Sequence, residues 1–273
     1  MSLLHIAVLA VVQGITEFLP VSSSGHLVLV PLVTDWPDQG LAMDVAVHVG
    51  TLGAVLLYLY RDVWAMTIGL ARAMRGRRDR GAVLFAQLFV ATLPVVAAGY
   101  VLDRYYPGAL RGMAVVGWAT LGFGILLWIA DRIGMTVRRI EHLRFGDAIV
   151  IGIAQTLALI PGTSRSGITM TAGRLLGMER SDAARFSLLL SIPTIIGAGS
   201  LKGWDLYQTG DIGIASDAIV GAGLAFVTAL IAIAVMMAWL KRASFAPFVV
   251  YRIILGLLVL GLAYDLLPLG GGF

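Results

Sequence analysis

Residues 13–26 read QGITEFLPVSSSGH. They lie between LLHIAVLAVV (3–12) and LVLVPLV (27–33), two runs apolar enough for the inside of a membrane. A glutamate, a proline, three consecutive serines and a histidine interrupt them. Two structures compete for this text. One is a spanning helix kinked at Pro20; the other is a segment that enters the bilayer and returns. Irregular backbone at membrane depth is tolerated only where it is buried in protein or lines a cavity, so the second reading also makes these residues a candidate site.

The rest of the chain supports a membrane setting. Of its 273 residues 59% are hydrophobic and 13% charged, against about 25% charged in a soluble domain, and the mean hydropathy is +0.89. A soluble globular protein is excluded. With no cysteine, neither a disulfide framework nor a thiolate metal site can form. The net charge of +4 comes from arginines clustered in short loops, which sets membrane orientation and is not a nucleic-acid signature. The N-terminal MSLLH lacks Lys and Arg, so no cleavable signal peptide is expected.

A spanning helix needs about 20 apolar residues. Six segments qualify, 44–60, 82–102, 113–130, 184–201, 218–240 and 247–266, and two longer apolar regions, 3–34 and 148–178, are broken at PVSSSG and PGTSRSG. Positive charge assigns loop 61–81 (Arg61, Arg72, Arg75, Arg77, Arg78, Arg80), loop 131–147 and the Lys241–Arg242 turn to the cytoplasm. Loops 35–43 and 202–217, which carry Asp35, Asp38, Asp205, Asp211 and Asp217, fall on the other side with the tail. Parity then requires 148–183 to begin and end in the cytoplasm, so it must enter and return. The same logic makes the first broken region dip in from outside.

Gln13 and Gln155, Ser22 and Ser164, Ser24 and Ser166, and Gly25 and Gly167 pair at a constant offset of 142. The expected fold is an all-α polytopic membrane protein, one integral-membrane domain over 1–273. Two repeats of opposite orientation, about 1–131 and 147–267, each contain one re-entrant helical hairpin and three transmembrane helices.

If the hairpin tips meet, they bring Glu17, His26 and Arg165 together with Ser22, Ser23, Ser24, Ser164, Ser166 and Thr169. Ser and Gly ahead of a half-helix suit an anion, phosphate above all, and Arg165 adds a planar donor fork. Glu17 beside a phosphate makes sense as a base or as holder of a hard cation, which uses one or two carboxylates plus substrate phosphates. The pattern points to metal-assisted phosphate hydrolysis. His26 could protonate the leaving group, act as nucleophile or hold a phosphate oxygen. Ser23 could be a nucleophile, with Glu17 or His26 as its base, or a phosphate donor. For Ser22, Ser24, Ser164 and Ser166, helix capping competes with substrate contact; for Thr169, back-bonding to its own helix does. His48, within segment 44–60, could face the site but is read first as core packing, and Arg174 and Arg185 as headgroup anchors. The Gly-rich helix 112–124 serves close packing or lines a groove.

Gln13–His26 resembles the first signature of the undecaprenyl-diphosphatase family, the bacitracin-resistance phosphatases: Glu or Gln, three residues, Glu, then a Pro-Val-Ser-Ser-x-Gly-His run. Pro161–Thr169 resembles its second, Pro-Gly-x-Ser-Arg-Ser-x-x-Thr, and the closing Phe245-Ala246-Pro247-Phe248 and Tyr251-Arg252 are also similar. The resemblance covers essentially the whole chain. It implies hydrolysis of a long polyprenyl diphosphate to the monophosphate and phosphate, recycling the lipid carrier of cell-wall synthesis, with bacitracin resistance as a consequence. It further implies a bacterial cytoplasmic (inner) membrane location, a site opening to the periplasmic side, and a divalent cation, Mg²⁺ or Ca²⁺. Expected catalytic residues are Glu17, His26, Ser23 and Arg165; expected phosphate contacts are Arg165, Ser22, Ser24, Ser164, Ser166, Gly167 and Thr169; expected metal ligands are Glu17 and Gln13. Many members carry Glu where this chain has Gln13, which throws the metal load on Glu17. The partners expected are the lipid substrate, the bilayer and a homodimer, with no nucleic acid. A polyprenyl-phosphate flippase or anion transporter on the same inverted repeat is the alternative. A phosphohistidine mechanism of the acid-phosphatase type would want His where Thr171 stands.

Overall fold

The computed structural model describes residues 2–23, 25, 26, 36, 40–106, 110, 112–209 and 216–266. Among these the regular structure is helical: α1 Leu3–Thr16, α2 Gly40–Tyr58, α3 Tyr60–Ala73, α4 Arg80–Tyr105, α5 Met113–Ile133, α6 Phe145–Thr156, α7 Arg165–Leu175, α8 Arg180–Thr209, α9 Ser216–Leu240 and α10 Ala246–Ala263. Six of them, α2, α4, α5, α8, α9 and α10, are long and apolar enough to cross a bilayer, and they coincide with the six expected segments. Only 28–44% of the most apolar window of each is buried. Helices apolar on their outward faces as well as their inward ones belong in hydrocarbon, and the protein is a multi-pass membrane protein.

The Arg-rich stretch 61–81, expected as a loop, is mostly the helix α3. Val63, Met66 and Leu70 recur at helical spacing on its inward side, while Trp64 and Arg61 face out. Counting charges hid this period, which is that of an interfacial amphipathic helix. Asp79 ends the turn that follows, accepting from the Gly81 N–H at 2.8 Å and from Arg72 at 3.0 Å, and so caps α4.

None of the helices in the broken regions is long enough to span alone. α1 has 14 residues, α6 has 12 and α7 has 11, about 21, 18 and 16 Å at the α-helical rise, against about 30 Å of hydrocarbon. The two ends of the second region meet: Glu179 N–H donates to the Arg138 carbonyl at 2.9 Å, and Arg139 pairs with Glu179 at 3.3 Å. At the first, the His5 and Trp36 rings lie 4.4 Å apart. The return arm expected over 27–34 and the acids Asp35, Asp38 and Asp211 lie outside the described residues.

Helix pairing is reciprocal. α1 packs on α9 and α6 on α4; α2 packs on α9 and α8 on α4; α5 pairs with α10 and α2 with α8. Glycine sets the first two crossings. A Cβ on Gly14 would lie 2.0 Å from Thr228 Oγ1, and one on Gly152 would lie 2.5 Å from the Ala91 carbonyl oxygen. In the Gly-rich α5, Gly117 and Gly124 meet Leu260 and Arg252 of α10, so these two serve packing.

Arg174 and Arg185 are not headgroup anchors. Arg174 is fully buried and donates to Asp131 at 3.1 Å and to the Gly134 carbonyl at 2.7 Å. Asp131 also accepts from Arg180 at 2.7 Å and from the Phe245 N–H at 3.2 Å, which ties α5, α7, α8 and the start of α10 together. Arg185 pairs with Asp62 of α3. A charge lying next to an apolar hairpin looks lipid-facing in sequence, but these arginines are held by acids 43 and 123 residues away.

Candidate functional site

Two backbone breaks place the site. After α1 the chain leaves helical geometry and Phe18, fully buried, pins the tip. Ser22 then takes φ +74° and its Oγ accepts from the Gly25 N–H at 3.3 Å, opening a helical stretch at Ser23, Gly25 and His26. At the second break Gly162 takes φ +97°, with the Val116 carbonyl 2.3 Å from where a Cβ would sit. Ser164 follows at φ +68° and accepts from the Gly167 N–H at 3.1 Å. Left-handed backbone is uncommon outside glycine. Here the same strained serine cap recurs at the offset of 142.

The tips touch where Ser166 Oγ donates to the Leu19 carbonyl at 2.9 Å. Arg165, the first residue of α7, therefore reaches across to Glu17 of the other tip, Nη2 to Oε1 at 3.2 Å. The glutamate side chain is 9% exposed and the arginine 14%. Arg165 Nη1 is buried and has no hydrogen-bond partner among the described residues. Gln13, one turn before Glu17, donates its amide to Glu17 Oε2 at 2.9 Å and to His48 Nε2 at 3.2 Å. A cavity of about 180 Å³ opens over this cluster, lined by Glu17, His48, Arg165, Thr194 and Lys202 among others. Lys202 sits at its mouth, 3.2 Å from Asp44.

The structure thus brings together Gln13, Glu17 and Arg165, with Ser166 as the bolt between the tips. Ser164 is a cap and bonds to Ser166 at 3.1 Å. Thr169 bonds within its own helix, to the Arg165 carbonyl at 2.9 Å, and to Ser187 at 2.7 Å. Gly167 packs beneath Arg252, where a Cβ would stand 2.7 Å from Nη1. Ser23 is half-buried at the start of its helical stretch. Ser24 lies outside the described residues. His26 faces α10: Nδ1–H donates to the Ser22 carbonyl at 2.7 Å, Nε2 accepts from Tyr251 OH, and the two rings stack.

Four residues that the structure brings to the site were given no site role, or a lesser one, in the sequence reading. His48 is not core packing; its side chain is 32% exposed and lines the cavity. Being the one histidine inside a clean spanning segment was signal enough, but its partner Gln13 is 35 residues away. Lys202 was read as part of an acidic outer loop, because the extension of α8 beyond 201 went unseen. Tyr251 and Arg252 form a clasp: while Tyr251 holds the His26 of one tip, Arg252, fully buried, donates to the Gly162 carbonyl of the other at 3.0 Å and to the Thr120 carbonyl at 3.1 Å.

Among the described residues no three His, Cys, Asp or Glu side chains converge to hold a metal. Glu17, His48 and the Gln13 amide do converge, and such a set fits a cation that draws its remaining ligands from a phosphorylated substrate.

A larger groove, about 450 Å³, lies between α1, α9 and α10 and is lined by Ile15, Leu19, Ile231, Val235, Trp239 and Phe248 among others; it contains no titratable side chain.

Known proteins resemble the chain from end to end. Undecaprenyl-diphosphatase 1 of Rhodospirillum rubrum is 54% identical over 98% of this chain and 99% of its own length. Undecaprenyl-diphosphatases of Ruegeria pomeroyi and Roseobacter denitrificans are 53% and 52% identical, each over 97% of this chain and the whole of their own. A family profile described as "Bacitracin resistance protein BacA" matches residues 6–258, and the chain belongs to that family.

Proposed function

We propose that the protein hydrolyses undecaprenyl diphosphate to undecaprenyl phosphate and inorganic phosphate, the reaction for which its relatives are named. The observation that carries this reading is the buried Glu17–Arg165 contact across the two tips at the cavity wall, with one buried arginine nitrogen that has no hydrogen-bond partner among the described residues. A diphosphate placed there meets the guanidinium fork, with Lys202 at the mouth. Either water attacks the terminal phosphorus, the anhydride P–O bond breaks, and inorganic phosphate and the lipid monophosphate leave; or the Ser23 hydroxyl attacks, the lipid monophosphate leaves, and water then hydrolyses the phosphoserine, releasing inorganic phosphate and restoring the hydroxyl. Glu17 accepts the proton of the attacking group or holds the cation. His26, whose Nδ1–H is fixed on the Ser22 carbonyl, keeps Nε2 for proton transfer once Tyr251 releases it. Glu17 and Gln13 would hold a divalent cation, which would supply neutralisation of the phosphate oxygens. The apolar groove beside Ile15 and Leu19 suits the polyprenyl tail.

The scaffold on this reading is an inverted repeat, about 1–131 and 147–267, each half a re-entrant hairpin and three spanning helices. The reciprocal pairing of helices and the matched serines at φ +74° and +68° support it. The arginine-rich loops then face the cytoplasm, and the cavity, which shares its side with Lys202 and the start of α2, opens to the periplasm of a bacterial inner membrane. The same repeat favours a second reading, a lipid-carrier flippase.

Phosphate release from a C55 polyprenyl diphosphate by purified protein, with Mg²⁺ and then with excess chelator, tests the choice. Release abolished by chelator is expected. Release that persists in chelator removes the cation from Glu17 and leaves it the role of base. No release from folded protein overturns the phosphatase and makes the flippase the leading reading.

A further inference from the structure

We infer that His48 is a ligand of the catalytic cation, so that the site prefers a dication that accepts imidazole nitrogen, such as Co²⁺ or Zn²⁺, over Ca²⁺. The inference rests on the cation of the proposed hydrolysis and goes beyond its Glu17–Gln13 ligand set.

Three observations carry it. First, the ring is set in one tautomer. Nδ1–H donates to the Asp44 carbonyl one turn earlier at 2.7 Å, which leaves Nε2 as a lone pair pointing into the cavity. A backbone carbonyl on the far nitrogen is the usual support of a metal-binding histidine. Second, Nε2 lies 4.0 Å from Glu17 Oε2, close enough for both to bind one ion. Third, the amide nitrogen of Gln13 donates to both acceptors, at 2.9 and 3.2 Å. A positively polarised group is already shared by the two atoms that a cation would take. Rotating the Gln13 amide by half a turn replaces that nitrogen with its oxygen and yields a carboxylate, an imidazole and an amide oxygen on one point. Of the other polar groups that line the cavity, Arg165 holds the second carboxylate oxygen of Glu17, Oε1, and leaves Oε2 to the cation, while Thr194 and Lys202 carry no comparable ligand. Carboxylate and amide oxygens alone suit hard cations; adding imidazole nitrogen moves the preference toward first-row transition metals.

The test is cation binding to the full chain in detergent, with inorganic pyrophosphate present to supply phosphate oxygens. Co²⁺ and Ca²⁺ are titrated calorimetrically into wild type, His48→Gln, Glu17→Gln and, as a control, His142→Gln, an exposed histidine. Wild type should bind one Co²⁺ more tightly than Ca²⁺. His48→Gln should weaken Co²⁺ roughly tenfold or more, on the scale at which a metal site responds to changes in its ligand shells, and leave Ca²⁺ within about twofold. Glu17→Gln should weaken both, and His142→Gln neither. Co²⁺ affinity unchanged in His48→Gln overturns the inference. A measurement on unaltered protein guards against a variant that misfolds: pulsed EPR of bound Mn²⁺ should show the nitrogen modulation of an imidazole ligand, and its absence also overturns the inference. Phosphate release by wild type is scored separately. Its loss sinks the hydrolase reading, whereas release together with His48-independent metal binding sinks this inference alone.

Discussion

Glu17 and Arg165 each stabilise the other and each leave a debt when removed. A buried ion pair is weak evidence of stability as a pair, but deleting one partner strands the other charge at a cost of about 3–5 kcal/mol. Arg165→Ala and Glu17→Ala should therefore each lose several orders of magnitude in turnover and also lower the melting temperature. The double variant should be more stable than either single, because no unpaired charge remains; a melting series on the four proteins checks it. Near-normal turnover in either single variant would remove that residue from the chemistry. Arg165→Lys should rescue the stability of Arg165→Ala better than its turnover, since an ammonium cannot reproduce the planar two-nitrogen contact with phosphate. At this scale the sequence was legible where polarity stood out against apolar text. Gln13, Glu17 and Arg165 stood out as polar groups within apolar text, and the serines stood out as caps or contacts. The unread residues were those whose meaning is a partner: His48 through Gln13, and Tyr251 and Arg252 through His26 and Gly162. An apolar helix with one polar residue does not say which neighbour that residue will face.

Elements carry the site by holding two short tips against each other. A serine cap follows each backbone break, Ser22 in the first tip and Ser164 at the start of α7, and α10 locks both tips with adjacent residues. Tyr251→Phe keeps the ring stack on His26 and removes one hydrogen bond, a net loss of about 1 kcal/mol. It should slow turnover roughly tenfold, on the scale of a positioned proton-transfer group made less precise, with the global fold intact. Arg252→Met should be worse for stability than for any single contact, because the Gly162 and Thr120 carbonyls lose their donors together. Thermal melting combined with steady-state phosphate release separates the two variants. A Tyr251→Phe protein with unchanged turnover would show that the clasp is structural only. The six long helices were legible because about 20 apolar residues in a row have few other uses. α3 was not, because its charges masked an apolar stripe of only a few residues, and helix ends such as α8 slid by two turns because lipid-facing and loop-facing residues differ little near an interface.

On the proposed scaffold, two half-length units reach inward and turn back. Reciprocal packing, α1 on α9 and α6 on α4 through Gly14 and Gly152, follows if the halves are related by a pseudo-two-fold axis in the membrane plane. Four matched residues in sequence could only suggest that axis; the repetition of a strained backbone at Ser22 and Ser164 gives it physical content, since coincidence does not favour two left-handed serines at one spacing. The decisive prediction concerns sidedness. The chain contains no cysteine, so single cysteines can be placed without altering the background. Glu141 and Glu179 stand at the two ends of the α6–α7 unit, and both carry partly exposed side chains. Cysteines at these two positions should react with a membrane-impermeant maleimide only after the inner membrane is opened. One at Ser216, beyond the far end of α8, should react in intact spheroplasts. Positions 141 and 179 reporting opposite sides would mean that α6 and α7 together cross the bilayer, and the inverted repeat would fall. All three reporting as expected would place the mouth beside Lys202 in the periplasm, because α8 runs from Glu179 to that mouth in one uninterrupted helix. A diphosphate presented on that face would then reach Arg165 without its charged head crossing the hydrocarbon.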